Sequence, residues 1–340
     1  MVGKRKLAML LCTVLVGGVL SGCGQSTTGS SKEKTTSSEV KNIGIIQLVQ
    51  HDALDLTNKG FIDGLKEKGY EEGKNIKIEQ QNAQGEQSNA QTICKQFADS
   101  NKDLIFAIAT PAVQAAYNAT KDIPIICSAV VDPVKAGVAK DWKSSGTNVT
   151  GMSNKTPVDK QMQLLIKLIP TAKTVGVIYN TSETNAVIQV DEFKAEAEKY
   201  GITVKEIGIT NTNEISQNLA SALGEIDALY TPTDNTVASS YTLVGKLCLE
   251  KNIPVIGAEE SAISKGALAT LGIDYYKLGK ETGFKAAELF EGKKPSEIEI
   301  TKLSEIKVVI NTDVAKKLNI TIPSDIEADA EKATGGIVES

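Results

Sequence analysis

The sequence predicts an α/β protein of two similar lobes, each built on a parallel sheet, with a cleft between them. Three observations carry that prediction. Strand and helix signals alternate through residues 41–325; the second half repeats the order of the first; and further elements follow the second repeat, as in a chain that crosses between lobes more than once.

Residues 42–49 read as an apolar strand, followed by a polar loop and a helix over 59–68 whose Phe61, Ile62 and Leu65 share one face before Gly69 stops it. Residues 76–79 alternate as a short strand, 90–98 are helical, 104–109 form a buried strand, 112–120 a helix and 124–127 a strand. The pattern then restarts with a strand at 175–179, a helix through Phe193 and Ala197 closed by Tyr200-Gly201, and a strand at 202–206. Asp227-Ala228-Leu229-Tyr230 repeats Asp103-Leu104-Ile105-Phe106, and Ile253-Pro254-Val255-Ile256 repeats Ile123-Pro124-Ile125-Ile126, at nearly equal spacing within each half. A helix at 278–290, a strand at 306–310 and a helix at 314–318 follow. The expected lobes are therefore 41–153 plus 275–303 and 154–274 plus 304–325, joined by several strands that act as a hinge.

The ends carry different signals. Lys4, Arg5 and Lys6 precede an apolar stretch at 7–20, the pattern of a secretion signal and too short to span ~30 Å of hydrocarbon comfortably. Leu20-Ser21-Gly22-Cys23 resembles a bacterial lipobox, so 1–22 is expected to be a lipoprotein signal peptide and Cys23 the lipidated residue. The alternative is an ordinary cleavage site with an incidental cysteine. Residues 23–40, rich in Ser, Thr and Gly, form a flexible tether, and 326–340 an acidic tail expected to fray. This places the protein outside the cell, held by lipid on the outer face of the cytoplasmic membrane, or on an outer membrane where a second membrane exists.

A net charge of −5 and the lack of a basic stripe argue against a nucleic-acid partner. Cys94, Cys127 and Cys248 have no CxxC spacing, so buried free thiols are expected rather than a metal site or a disulfide framework. One histidine, His51, and the absence of GxSxG, Walker A and GxGxxG motifs leave catalysis without a candidate residue set, and no cofactor is implied. Glu259-Glu260 reads as a solvated pair at a loop.

Ligands of open parallel sheets sit beyond the carboxyl ends of the strands, so polar residues just after each strand are the candidates for contact. In the first lobe these are Gln47, His51 and Asp55, then Thr110 with Pro111 and Ala112, then Ser128, Asp132 and Ser153. Thr110-Pro111 has the form of a helix start, which offers free N–H groups and a positive dipole end to a carboxylate, or serves only as a cap. In the second lobe the candidates are Asn180, Ser182, Glu183 and Asn185, then Thr233, Asp234 and Asn235, and Asp274. Asp234 and Asp274 suit an ammonium in a closed cleft, though each also suits a cap or turn.

Six motifs in order resemble the bacterial ABC-transporter substrate-binding proteins that include the tryptophan/tyrosine-binding lipoproteins. They are His51-Asp52-Ala53-Leu54-Asp55, Ala109-Thr110-Pro111-Ala112, Val131-Asp132-Pro133, Asn148-Val149-Thr150-Gly151, Pro232-Thr233-Asp234-Asn235 and Val309-Ile310-Asn311, and the resemblance runs from Ile43 to Pro323. It implies the type I periplasmic-binding-protein fold of two Rossmann-like lobes, and uptake rather than catalysis. The partners it implies are a small-molecule ligand, an amino acid of the aromatic kind, and an ABC permease with its ATPase, served by a monomer. Under that implication Thr110 and Ser128 take the carboxylate and Asp234 or Asp274 the ammonium. Asp52 stands where the family often has proline. The competing expectations are a sensor of the same fold signalling for another amino acid, a nucleoside or a sugar, and a surface lipoprotein enzyme.

Overall fold

A five-residue run without a polar member, such as Leu104–Ile108, suits a strand buried on both faces, as inside a parallel sheet covered by helices. The computed structural model, which describes residues 40–331 and 337–338, gives it that position. Residues 1–39, with the expected signal peptide, Cys23 and most of the tether, lie outside the described residues.

The first lobe begins with β1 (Lys41–Gln47), α1 (Asp52–Glu67), β2 (Ile76–Asn82), α2 (Gln87–Asp99), β3 (Leu104–Ile108), α3 (Thr110–Ala119), β4 (Ile125–Val130) and β5 (Val149–Ser153). The second holds α4 (Val158–Leu168), β6 (Thr174–Asn180), α5 (Thr184–Lys199), β7 (Thr203–Ile209), α6 (Ile215–Ala222), β8 (Ala228–Thr231), α7 (Asn235–Ala238), α8 (Tyr241–Glu250), β9 (Val255–Gly257) and β10 (Ala269–Gly272). The chain then returns to the first lobe for α9 (Tyr275–Phe290) and β11 (Thr301–Lys302), and goes back to the second for β12 (Lys307–Asn311), α10 (Thr312–Lys317), α11 (Ser324–Glu331) and β13 (Ile337–Val338). The sheet orders are β11-β5-β4-β3-β1-β2 and β13-β12-β10-β9-β8-β6-β7. Every pairing is parallel except β10 with β12, because β12 enters from a crossing rather than from a helix. Strand order reverses between β1 and β3 and between β6 and β8, so each sheet has a switch point at its carboxyl edge.

The repeat seen in the sequence has a packing counterpart. Phe61 of α1 stacks on Phe106 of β3 at 3.8 Å, and Phe193 of α5 stacks on Tyr230 of β8 at 4.1 Å. The aspartates that open the paired motifs do one job twice: Asp103 accepts from the Asn42 N–H at the start of β1, and Asp227 from the Lys173 and Thr174 N–H groups at the start of β6.

The return to the first lobe is held by close helix packing. Gly60 and Gly64 of α1 face Gly279 and Gly283 of α9, and a Cβ added at any of the four would collide with the backbone of the other helix. Four-residue spacing puts each pair on one face, so the two axes approach as only glycine permits.

Some expectations are corrected. Helix α1 starts at Asp52 rather than residue 59, because Ala53 and Leu54 are buried and Asp52 and Asp55 supply acids to its first turn. The tail does not fray from its start: α11 covers residues 324–331, with Ile326 and Ala330 buried in the second lobe's core, and Ile337–Val338 pairs with β12. Glu259 is buried at 3% exposure, while Glu260 pairs with Lys307 at 2.7 Å. The three cysteines of the body are free and buried.

Candidate functional site

The loops after β1, β3, β6 and β8 all leave the switch points, and the structure brings their polar residues to one inter-lobe edge. His51 of the first lobe meets Asn235 of the second at 3.4 Å, and α3 approaches α5 across the cleft. A cavity of about 520 Å³ lies at this edge, lined by Leu48, Gln84, Pro111, Ser182, Glu183 and Asn235 among others. A second of about 230 Å³ is lined by His51, Asp55, Tyr241 and Ser261.

Glu183 organises the second lobe's side. Its Oε2 accepts from the Asn235 N–H, the Asn235 amide and Asn185 Nδ2, and its Oε1 from the Thr236 N–H and hydroxyl. Since Asn235 gives its NH₂ to Glu183, its Oδ1 faces His51, and His51 Nε2 must be the donor. Burial lowers the pKa of His51, so the neutral ring keeps Nδ1 as a bare acceptor.

Asp234 is fully buried and accepts from two backbone groups, the Asn180 N–H at 2.5 Å and the Val237 N–H at 2.8 Å, the latter capping α7. Burial, with Glu183 nearby, pushes its carboxyl well above the usual carboxylate range. Thr233 donates its N–H and hydroxyl to Gln189 Oε1 at 2.7 and 2.8 Å. Asn180 donates to Thr236 Oγ1 and accepts from the N–H of Ser182, which is exposed at the rim.

Seven buried side-chain atoms have no hydrogen-bond partner among the described residues, and five belong to residues at this edge or at the crossing beside it. They are His51 Nδ1, Thr110 Oγ1, Asn154 Oδ1, Asn185 Oδ1 and Gln189 Nε2. An unmatched buried polar atom costs on the order of 1–3 kcal/mol, so five together mark a surface shaped for a polar guest. The set mixes acceptors with donors. The backbone before Thr110 is strained as well: Ala109 has φ 83° at the turn from β3 into α3.

Other expected residues have internal roles. Asp274 is exposed, caps α9 through the Lys277 N–H and lines a separate cavity of about 420 Å³ with Asp52, Glu260 and Tyr276, so its carboxylate is not the buried partner expected for an ammonium. Ser128 meets the Thr282 hydroxyl and ties β4 to α9. Asp132 accepts from the Val134 and Lys135 N–H groups and lies 3.8 Å from Lys155, which also reaches Glu192 of the second lobe at 2.9 Å. Ser153 bonds the Val131 carbonyl and the Lys155 N–H. Gln47 and Asp55 bond each other at 2.6 Å. Pro111 and Ala112 form the buried start of α3.

Asn154, Gln189 and Tyr275 are absent from the sequence expectations, and Glu259 appears there only as a solvated loop residue. Glu259 and Asn154 obey the rule that found the others, lying just past β9 and β5. Gln189 lies inside α5 and Tyr275 opens α9, where no such rule reaches.

A family model described as ABC transporter substrate binding protein matches residues 42–334. A protein of Clostridioides difficile (strain R20291) named tyrosine-binding protein is 48% identical over 320 residues, 93% of each chain. Among solved structures, a Streptococcus pneumonia domain in complex with L-Trp is 39% identical, with a TM-score of 0.83 over 86% of this chain and 98% of its own. A ligand-free, open substrate binding protein with adhesive properties from Clostridium difficile is 49% identical, yet its TM-score is 0.65 over 84% of this chain and 97% of its own. Identity and TM-score run in opposite directions between these two neighbours, the tryptophan complex matching the fold of this chain with the higher score. The fold is that of the type I periplasmic binding proteins. Because the matched span takes in both sheets and the crossings between them, the chain belongs to the ABC transporter substrate-binding protein family.

Proposed function

We propose that this protein binds an aromatic amino acid, tyrosine, tryptophan or phenylalanine, outside the cell and delivers it to an ABC permease and its ATPase. The observation that carries the reading is the group of five unmatched buried polar atoms at the inter-lobe edge, acceptors and donors together, which suits a zwitterion. The relatives that bind tyrosine and tryptophan support the aromatic class. Lobes 41–153 plus 275–303 and 154–274 plus 304–325 close on the ligand about the three crossings, and the permease reads the closed shape. Binding without turnover is the expected behaviour, from a monomer. The signal at 1–22 and the cysteine at 23 support export and a lipid anchor on the outer face of the cytoplasmic membrane, with residues 23–40 as tether.

A thermal-shift screen of the purified chain against the twenty amino acids, nucleosides and simple sugars tests this. A ligand at ~100 times its Kd stabilises by about 2.7 kcal/mol, a rise of several degrees. A shift with tyrosine, tryptophan or phenylalanine is expected. A shift only with sugars or nucleosides overturns the amino-acid reading and leaves the fold and family intact.

A further inference from the structure

Glu259 stands just beyond β9, at the cleft end of the second sheet, buried at 3% exposure. Its partners are two hydroxyls, Ser261 Oγ on Oε2 and Tyr275 Oη on Oε1, each at 3.3 Å. Both are longer than the ~2.5–3.0 Å of ordinary O–H···O bonds. Its neighbours Glu183 and Asp234 are well supplied, the first with five donors and the second with two backbone N–H groups. Glu259 has no ion pair among the described residues, and the other charge that acts on it is a carboxylate, Glu183. A buried acid with so little compensation calls for a cation.

A second observation points the same way. Asn154, 4% exposed on the first crossing, donates Nδ2 to Tyr275 Oη at 3.0 Å and leaves Oδ1 without a partner. Tyr275 Oη thus joins Asn154 to Glu259, setting an amide and a carboxyl group on either side of one hydroxyl. A primary ammonium brings three donors and one positive charge. We infer that the Glu259 carboxylate and Asn154 Oδ1 together receive a primary ammonium, the α-amino group of the ligand. This rests on the amino-acid reading above, and it gives Glu259 the role that the sequence suggested for Asp234 or Asp274. Because Asn154 lies on the first crossing and Tyr275 directly follows the second, one ligand group then draws both crossings to the second lobe.

Burial, with a smaller push from Glu183, raises Glu259 to about 8. The groups facing it are Ser261 and Tyr275, with Tyr241, Glu183 and Asp234 acting at longer range. None is a cation, so an arriving ammonium displaces the proton of Glu259 itself.

Calorimetry on the purified chain at pH 8 compares L-phenylalanine, L-tyrosine and L-tryptophan with 3-phenylpropionate, which keeps ring and carboxylate and lacks the ammonium. Glu259→Gln is expected to weaken the amino acid that the wild type binds by about 10- to 100-fold, with 3-phenylpropionate unchanged or tighter. An equal loss for both, or no loss, overturns the assignment. A second measurement needs no variant. At pH 7 the wild type should release a proton on binding the amino acid, read from two buffers of different ionisation enthalpy, and none on binding 3-phenylpropionate. Equal release for both overturns the assignment. A wild type that binds none of the three amino acids brings down the amino-acid reading and this site together. A wild type that binds one, with a Gln variant that matches it, brings down this site alone.

Discussion

The two lobes bring the same kind of sheet edge to the cleft and prepare it in opposite ways. On the second lobe each unmatched atom belongs to a side chain whose other end is already pinned: Asn185 by Glu183 and the Thr233 carbonyl, Gln189 by Thr233. These atoms are aimed before any ligand arrives. On the first lobe, among the described residues, Thr110 Oγ1 has no hydrogen-bond partner and the ring of His51 bonds only Asn235 of the opposite lobe. The second lobe is a charged, pre-set template, and the first becomes complementary on closure. Affinity and stability should therefore separate by lobe.

The largest effect is expected from Glu183→Ala. It strips five donors of their acceptor in a buried loop, so urea denaturation should show a loss of about 3 kcal/mol or more along with loss of binding. A loss under about 1 kcal/mol would mean that the template is not built on Glu183.

Next comes the pH dependence of the ligand-free protein. Glu259 is raised to about 8 in the fold and titrates near the ordinary carboxylate range when unfolded. Its contribution is fully present below the unfolded pKa and is lost as pH rises toward about 8, because the fold holds a proton that the unfolded chain has released. Glu259→Gln removes this dependence. Its stability relative to the wild type should climb by on the order of 1 kcal/mol per pH unit from pH 5 to pH 8. Parallel stability curves for the two proteins would show that Glu259 is not desolvated as described.

Thr110→Val should give the smallest stability change and the cleanest contrast. Replacing an unmatched buried hydroxyl by a methyl leaves the ligand-free protein equal or up to about 1 kcal/mol more stable, while affinity falls roughly tenfold. A stability loss like that of Glu183→Ala would erase the distinction between the lobes.

Much of this was legible in the chain itself. The repeated Asp-apolar motifs announce two lobes because each performs the same local task, an aspartate closing the start of a neighbouring strand and an aromatic packing under a helix. The strand-end rule located His51, Thr110, Asn185 and Asn235, since position after a strand is a local property. It put forward Asp274, which is exposed, while Glu259, which satisfies the same rule just past β9, reads from the sequence as solvated and is buried. Whether a carboxylate beyond a strand is exposed or buried depends on elements far away in sequence: here α9, which brings Tyr275 onto Glu259 and leaves Asp274 exposed at its N-terminus.

The sequence alone determined the α/β class, the doubling and the crossings, because periodicity and turn chemistry act over a few residues. Only the tertiary structure decided which polar groups remain unmatched. That depends on how Glu183 distributes its bonds among loops about fifty residues apart and on two glycine-lined helices, α1 and α9, that approach closely enough to seat the returning chain. Hydrogen-bond satisfaction is a sum over every neighbour in space, and no window of sequence contains that sum.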